Sequence, residues 1–287
     1  MPRCTSFAAL LTSAWLVACG ETQVTLLEPI LSRPDAGATH DAAAGGQHDA
    51  AAGDGPGSDA ATTPPPPLYA AHLIHRYSFD GEGSRVVDSV GAADGSLMGG
   101  AVLDGAGHVT LDGVDDYVNL PNGLVSGLTD VTLVAWLAWN GGHCWQRVFD
   151  FGSSDAGEDN VGNATSSLFA TPKRCPGTGP ATSFETSVGI LTSIDSDVPF
   201  PILSRSLFAV AVDSEAQQLR LYAAGQLLGT AKPEPLSILS DENAWLGRSQ
   251  WVQDDYLRGT YDEFRIYDVA LSDAQLGALE AAGQDAL

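Results

Sequence analysis

Three kinds of residue in this chain sit at spacings that can do chemistry: carboxylates inside apolar segments, aromatic residues inside polar loops, and four cysteines. Among the acids, Asp150 lies between Phe149 and Phe151, and Glu185 between Phe184 and Thr186. Asp262 and Glu263 are consecutive, so on a regular strand they point to opposite faces. Among the aromatics, Trp251 and Tyr256 share the polar segment RSQWVQDDY with Arg248 and Asp254. An aromatic pair in such a loop suits a platform for a sugar ring, with Arg248 and Asp254 to read hydroxyls. The alternative is a Trp that caps the edge of a sheet with its N–H outward. Trp145, near a cysteine with Trp139, is a second candidate for the same role, whereas Trp136 and Trp245 lie in apolar strands and belong to the core. His108 and His143 stand alone beside Gly-rich turns and read as surface polar residues. No HExxH helix, Gly-x-Ser-x-Gly elbow or phosphate loop is present.

The cysteines divide by position. Arg3 precedes an apolar run, Phe7 to Ala18, with the length of a signal-peptide core and too short to span a bilayer. It ends in Leu16-Val17-Ala18-Cys19, which resembles a bacterial lipobox. The expectation is cleavage before Cys19, acylation of its thiol, and Gly20 after it permitting export to the outer membrane. Cys4 then leaves with residues 1–18, and Cys144 and Cys175 remain. In an exported chain an even remainder points to a disulfide. The other reading, a two-cysteine metal site, has His143 beside Cys144 but no second ligand near Cys175.

The net charge is −23, divided as −5 over residues 1–71 and −18 over residues 72–287. Such a balance excludes nucleic-acid binding, which needs a basic face. With 44% apolar and only 17% charged residues, a folded core is expected. Residues 35–67 contain no aliphatic side chain larger than Ala and no aromatic, so the 19–71 segment is expected to be a disordered, lipid-anchored tether. One domain, 72–287, is left to function.

That domain reads as all-β. Period-two segments recur between turns rich in Gly, Asp, Ser and Pro, most clearly at residues 73–79, 117–120, 131–139, 147–151, 183–194, 207–212, 219–222, 244–247 and 257–267. Residues 131–139 are apolar on both faces, as a strand buried centrally between two sheets would be. Residues 219–229 form a hairpin turning at Gly225. Ser272 and Gln275 form a capping box for one short C-terminal helix, with Leu276 and Leu279 on its buried stripe. The pattern predicts a two-sheet antiparallel jelly-roll sandwich with a terminal helix as brace.

Four segments carry a resemblance. His75 to Gly81 with Val87-Asp88-Ser89-Val90-Gly91, Leu111 to Val118 (LDGVDDYV), Trp145 to Gly152 (WQRVFDFG), and Gly259 to Tyr267 with Ala270-Leu271-Ser272 together resemble the laminin-G-like jelly-roll domains of the concanavalin A-like lectin/glucanase superfamily. The resemblance implies a two-sheet sandwich, often with structural calcium, used as a binding or adhesive module more often than as an enzyme. The glucanases of that superfamily carry a Glu-x-Asp-x-Glu strand, which is absent here. By resemblance, Asp262 can hold calcium together with Asp80 and a backbone carbonyl near Gly113, since hard cations take carboxylate and carbonyl oxygens. The expectation is a lipid-anchored surface module that binds an extracellular glycan or protein without catalysis. Its alternatives are a glycoside-active enzyme whose acid pair comes from distant strands, and a protein-interaction module in surface assemblies.

Overall fold

A computed structural model describes residues 68–286; Cys19, the expected signal segment and the tether up to residue 67 lie outside them. Two antiparallel sheets face each other. The larger has eight strands in the order Gly189–Asp195, Ala181–Thr186, Ala164–Thr171, Phe149–Ser154, Asn243–Leu246, Tyr117–Leu120, Gly95–Met98 and Arg85–Val86. The smaller runs Leu73–Tyr77, Arg258–Tyr267, Val131–Trp139, Ser206–Asp213, Gln218–Ala223 and Gln226–Ala231, with Val109–Asp112 also paired to Arg258–Tyr267. A two-stranded ribbon, Glu82–Gly83 with Leu103–Asp104, lies apart. This is the expected jelly-roll sandwich.

Alternation fixes which side chains meet between the sheets. Leu133, Ala135 and Leu137 of the smaller sheet pack with Phe149, Phe151, Leu168, Phe184, Ala244 and Leu246 of the larger. The apolar second face of Val131–Trp139 has another cause than the one the sequence suggested. Val134 and Trp136 point away from the sandwich seam and pack, with Tyr222 and Tyr267, against Leu276 and Leu279 of the helix Asp273–Ala282. Tyr69, from the short helix Leu68–His72, adds an edge-on contact to Tyr267. A helix therefore buries that face.

The local signals are realised in atoms. Ser272 Oγ accepts from the Gln275 N–H at 3.3 Å, and the Ser272 N–H donates to Gln275 Oε1 at 2.8 Å, completing the capping box. Ala224 and Gly225 both adopt positive φ (48° and 76°), as a two-residue hairpin turn with the twist of its strands requires. The single segment expected at 183–194 is instead two strands turning at Ser187-Val188, where Thr186 pairs with Gly189. The Ala164–Thr171 strand between them and the centre was not among the segments legible by alternation.

Asp88 ties the opening strand to the loop that follows it. Its carboxylate accepts from the backbone N–H groups of Arg76, Gly91 and Ala93 and lies 2.6 Å from His75 Nδ1. Burial pushes its pKa up, but those hydrogen bonds outweigh it and hold the group at about 2. It organises the opening loop.

Candidate functional site

The face of the larger sheet turned away from the core is polar and aromatic. Residues that alternate with the core phenylalanines, namely Asp150, Ser167, Phe169, Glu185, Asn119, Tyr117 and Trp245, all lie on it. The segment 248–256 folds over this face and is tied down at several points. The Gln250 N–H donates to Asp150 Oδ2 at 3.0 Å, Gly162 N–H to the Gln250 carbonyl at 3.0 Å, and Val252 N–H to the Gly162 carbonyl at 2.9 Å. A loop that appears free in sequence is therefore a fixed wall.

Under that wall sits Arg147, almost fully buried. Its Nε donates to Asp150 Oδ2 at 3.2 Å, Nη1 to the Trp145 carbonyl at 2.7 Å and Nη2 to Asp254 Oδ2 at 2.7 Å. Its guanidinium lies 3.8 Å over the ring of Phe169, a cation–π contact in a desolvated setting. Asp150 also accepts from Ser167 Oγ, and Asp254 from Ser249 Oγ at 2.9 Å. Burial raises the pKa of Asp150 and of Asp254, and Arg147 opposes the rise in both.

Around this buried cluster two open hollows adjoin. One, about 210 Å³, is lined by Trp145, Arg147, Phe169, Glu185, Ile190, Trp251, Gln253 and Asp254. The other, about 220 Å³, shares Trp145, Phe169, Glu185 and Ile190 and extends to Arg174 and the Cys175-Pro176 segment. Trp145 and Trp251 are half-buried, with faces left to a ligand. The Trp251 indole N–H donates to Glu185 Oε2 at 3.1 Å. Glu185 is pushed up by burial, against that hydrogen bond and Arg147. Cys144 and Cys175 are joined in a disulfide with Cα atoms 5.7 Å apart, so the pairing expected from the exported compartment is present and braces the Trp145 wall. Trp145 itself has φ of 68°, a backbone conformation uncommon for a bulky residue, and its N–H is held by the Lys173 carbonyl at 2.8 Å.

The structure brings together Trp145, Trp251 and Asp254 of the expected binding residues. It adds Phe169, Arg147 of the WQRVFDFG segment, and Glu185, none of which the sequence placed in this site, because they come from three separate strands and connections that meet only in the sheet. Arg248 and Tyr256 line neither hollow. Arg248 stacks 4.4 Å over Tyr117 and 4.2 Å over Trp245 and donates to the Asp159 carbonyl, and Tyr256 packs on Tyr117. Trp139 is core, its indole donating to Gln146 Oε1 at 2.7 Å. A larger hollow of about 460 Å³ between residues 126–129 and 232–237 has no aromatic lining.

A second acidic site lies at the smaller sheet. Asp262 is the extra residue of a β-bulge, since Tyr261 pairs with Leu137 and Glu263 with Trp136. The bulge overturns the alternation expected of a regular strand: Asp262 and Glu263 line the same polar cavity, about 370 Å³, together with Asp80, Ser78 and residues 105–107. Glu263 is paired with Arg76 and Arg265. Asp262, only 2% exposed, has both oxygens without an aligned hydrogen bond, although Arg205 Nη2 comes within 2.9 Å of Oδ1. Burial raises its pKa, with Arg205 and His108 opposing. A buried carboxylate without aligned hydrogen bonds, in a polar cavity it shares with Asp80, fits a hard cation. Gly113 does not line this cavity; it lies at a turn against Arg258. Residues 105–107 stand where the third ligand was expected.

Solved structures share the fold. Domain 4 of AbnA, a GH43 extracellular arabinanase from Geobacillus stearothermophilus, in complex with arabinotriose, matches with TM-score 0.59 and 21% identity over 72% of this chain and 98% of that one. A botulinum neurotoxin type C structure, whose cell entry depends on two ganglioside molecules, matches with TM-score 0.53 and 12% identity over 75% of this chain and 52% of that one. A Trypanosoma rangeli sialidase mutant displaying trans-sialidase activity matches with TM-score 0.53 and 12% identity over 72% of this chain but only 32% of that one. No curated protein matches the sequence. The Laminin_G_3 model of the concanavalin A-like lectin/glucanases superfamily matches residues 112–277, more than half of the chain, and the protein belongs to that family.

Proposed function

We propose that this chain is a carbohydrate-binding module, held at the cell surface or outer membrane by acyl groups on Cys19 and set off from it by the 19–71 tether. The observation that carries the reading is the groove of Trp145 and Trp251 around Glu185: two half-buried indoles that can stack on sugar rings, and a carboxylate between them that can accept from hydroxyls. The fold is shared with a domain solved holding arabinotriose, which supports a glycan over a protein as ligand. Binding is favoured over hydrolysis by the state of the acids. Asp150 and Asp254 are both committed to Arg147, which leaves Glu185 alone, whereas glycoside hydrolysis takes two working carboxyl groups.

Retention of the full chain on an array of immobilised polysaccharides tests the reading. Binding to at least one neutral or charged glycan is expected, falling about tenfold in Trp251→Ala, the size of a lost aromatic anchor. Retention on none of them, or retention unaffected by the substitution, rejects the groove. For the anchor, an alkyne-palmitate label should enter the wild-type chain in a Gram-negative host and be lost in Cys19→Ala; equal labelling of both would place any acylation elsewhere.

Calcium belongs to the same proposal as a structural ion. Asp262 and Asp80 would hold it, and it would add to the partial compensation that the exposed Arg205 gives the buried Asp262 carboxylate.

A further inference from the structure

The charges around the groove carry one step further, resting on the glycan reading. Both of its cations are already spoken for. Every nitrogen of Arg147 donates within the protein, to Asp150, Asp254 and the Trp145 carbonyl, and Phe169 covers one face of the guanidinium. Arg174, in the adjoining hollow, lies 2.8 Å from Asp197 and 3.7 Å from Asp195 and also donates to the Pro176 carbonyl. Two arginines are thus matched against four aspartates before Glu185 is counted. Among the described residues, the Glu185 carboxylate, common to both hollows, accepts only from the Trp251 indole and has no cation paired to it.

We infer that the groove takes uncharged glycans and rejects those bearing carboxylates, with Glu185 as the discriminating residue. A sugar hydroxyl can donate to the free Glu185 oxygen while the ring lies against Trp145 or Trp251. A uronate or sialate would bring a second carboxylate to the same place and find no cation with its preferred fork of donors free. Specificity of this kind comes from the repulsive element as much as from the attractive one. A Trypanosoma rangeli sialidase solved with sialic acid and the ganglioside-dependent neurotoxin share the fold, so fold alone does not dictate this choice.

The test compares neutral polysaccharides (arabinan, xylan, galactan, mannan and β-glucan) with the carboxymethylated and the aminated derivative of each backbone, using the full chain. The expected result is retention on one or more neutral polymers and about tenfold weaker retention on the carboxymethylated form of the same backbone. That penalty should shrink as salt rises from about 0.05 M to about 0.5 M, because only an electrostatic penalty is screened. It should also shrink in Glu185→Gln, which keeps the shape and an acceptor oxygen. Equal or tighter binding of a carboxymethylated form, an aminated form bound no better than the carboxymethylated one, or a penalty insensitive to salt or to Glu185→Gln overturns the charge assignment while leaving the glycan reading intact. Retention on no polymer in the panel overturns the glycan reading itself.

Discussion

Two acidic regions of this molecule use the same residue types and differ in how firmly an arginine holds them. In the groove, Asp150 and Asp254 are buried against Arg147 and accept hydrogen bonds from Ser167, Ser249 and the Gln250 backbone. In the cavity at the smaller sheet, Asp262 is equally buried and neither oxygen receives an aligned hydrogen bond. Burial raises the pKa of all three. The partner distinguishes them: Arg147 is buried and fixed by three hydrogen bonds, whereas Asp262 meets only the exposed Arg205, at 2.9 Å and without an aligned hydrogen bond. Counting acids in the sequence sees no difference between them.

The largest effect should come from breaking the partnered side. Arg147→Met removes the cation and leaves Asp150 without its counter-charge, and should lower unfolding free energy by about 3–5 kcal/mol in urea denaturation. Asp262→Asn on the other side, in chelator, should change stability by less than about 1 kcal/mol, because its ion pair is to an Arg205 more than half exposed to solvent. If both variants lose the same stability, the contrast between the two regions fails.

A smaller effect comes from supplying the missing cation. An ion bound by the native state alone adds about 2.7 kcal/mol at a hundredfold excess over its Kd. Calcium should therefore raise the melting temperature of the wild-type chain over that in chelator and leave Asp262→Asn unmoved. An unchanged wild-type midpoint would remove calcium from the cavity; an equal rise in the variant would move the ion elsewhere, with the Asp112, Asp115 and Asp116 cluster the next place to look.

How much of this was legible in the chain depends on whether the signal was local. The capping box at Ser272, the hairpin at Gly225 and the strand at Val131–Trp139 are written in adjacent residues and appear in the structure. The disulfide was legible because the compartment and an even cysteine remainder leave one pairing. Trp251 and Asp254 were legible as an aromatic and an acid in a polar loop. Arg147 and Glu185 were not, since nothing within their own strands distinguishes a charge on the outer face from one exposed to water. Their meeting depends on the order of strands in the sheet, which places Phe149–Ser154, Ala164–Thr171 and Ala181–Thr186 side by side. Arg248 and Tyr256 looked like members of the site for the converse reason: proximity in sequence within one loop did not reveal that the loop's two halves turn to different neighbours.

The bulge at Asp262 marks the boundary most clearly. Alternation, a property of sequence, assigned Asp262 and Glu263 to opposite faces. One extra residue in the pairing with Val131–Trp139 put both on a single cavity, and register is a property of two strands. The sequence by itself determined the sandwich, its helix and the residue types available to each face, because burial pattern and turn chemistry are local. Tertiary structure alone decided which carboxylates meet a buried arginine and which an exposed one, because electrostatic partnership is fixed by distances across strands that the order of residues does not contain.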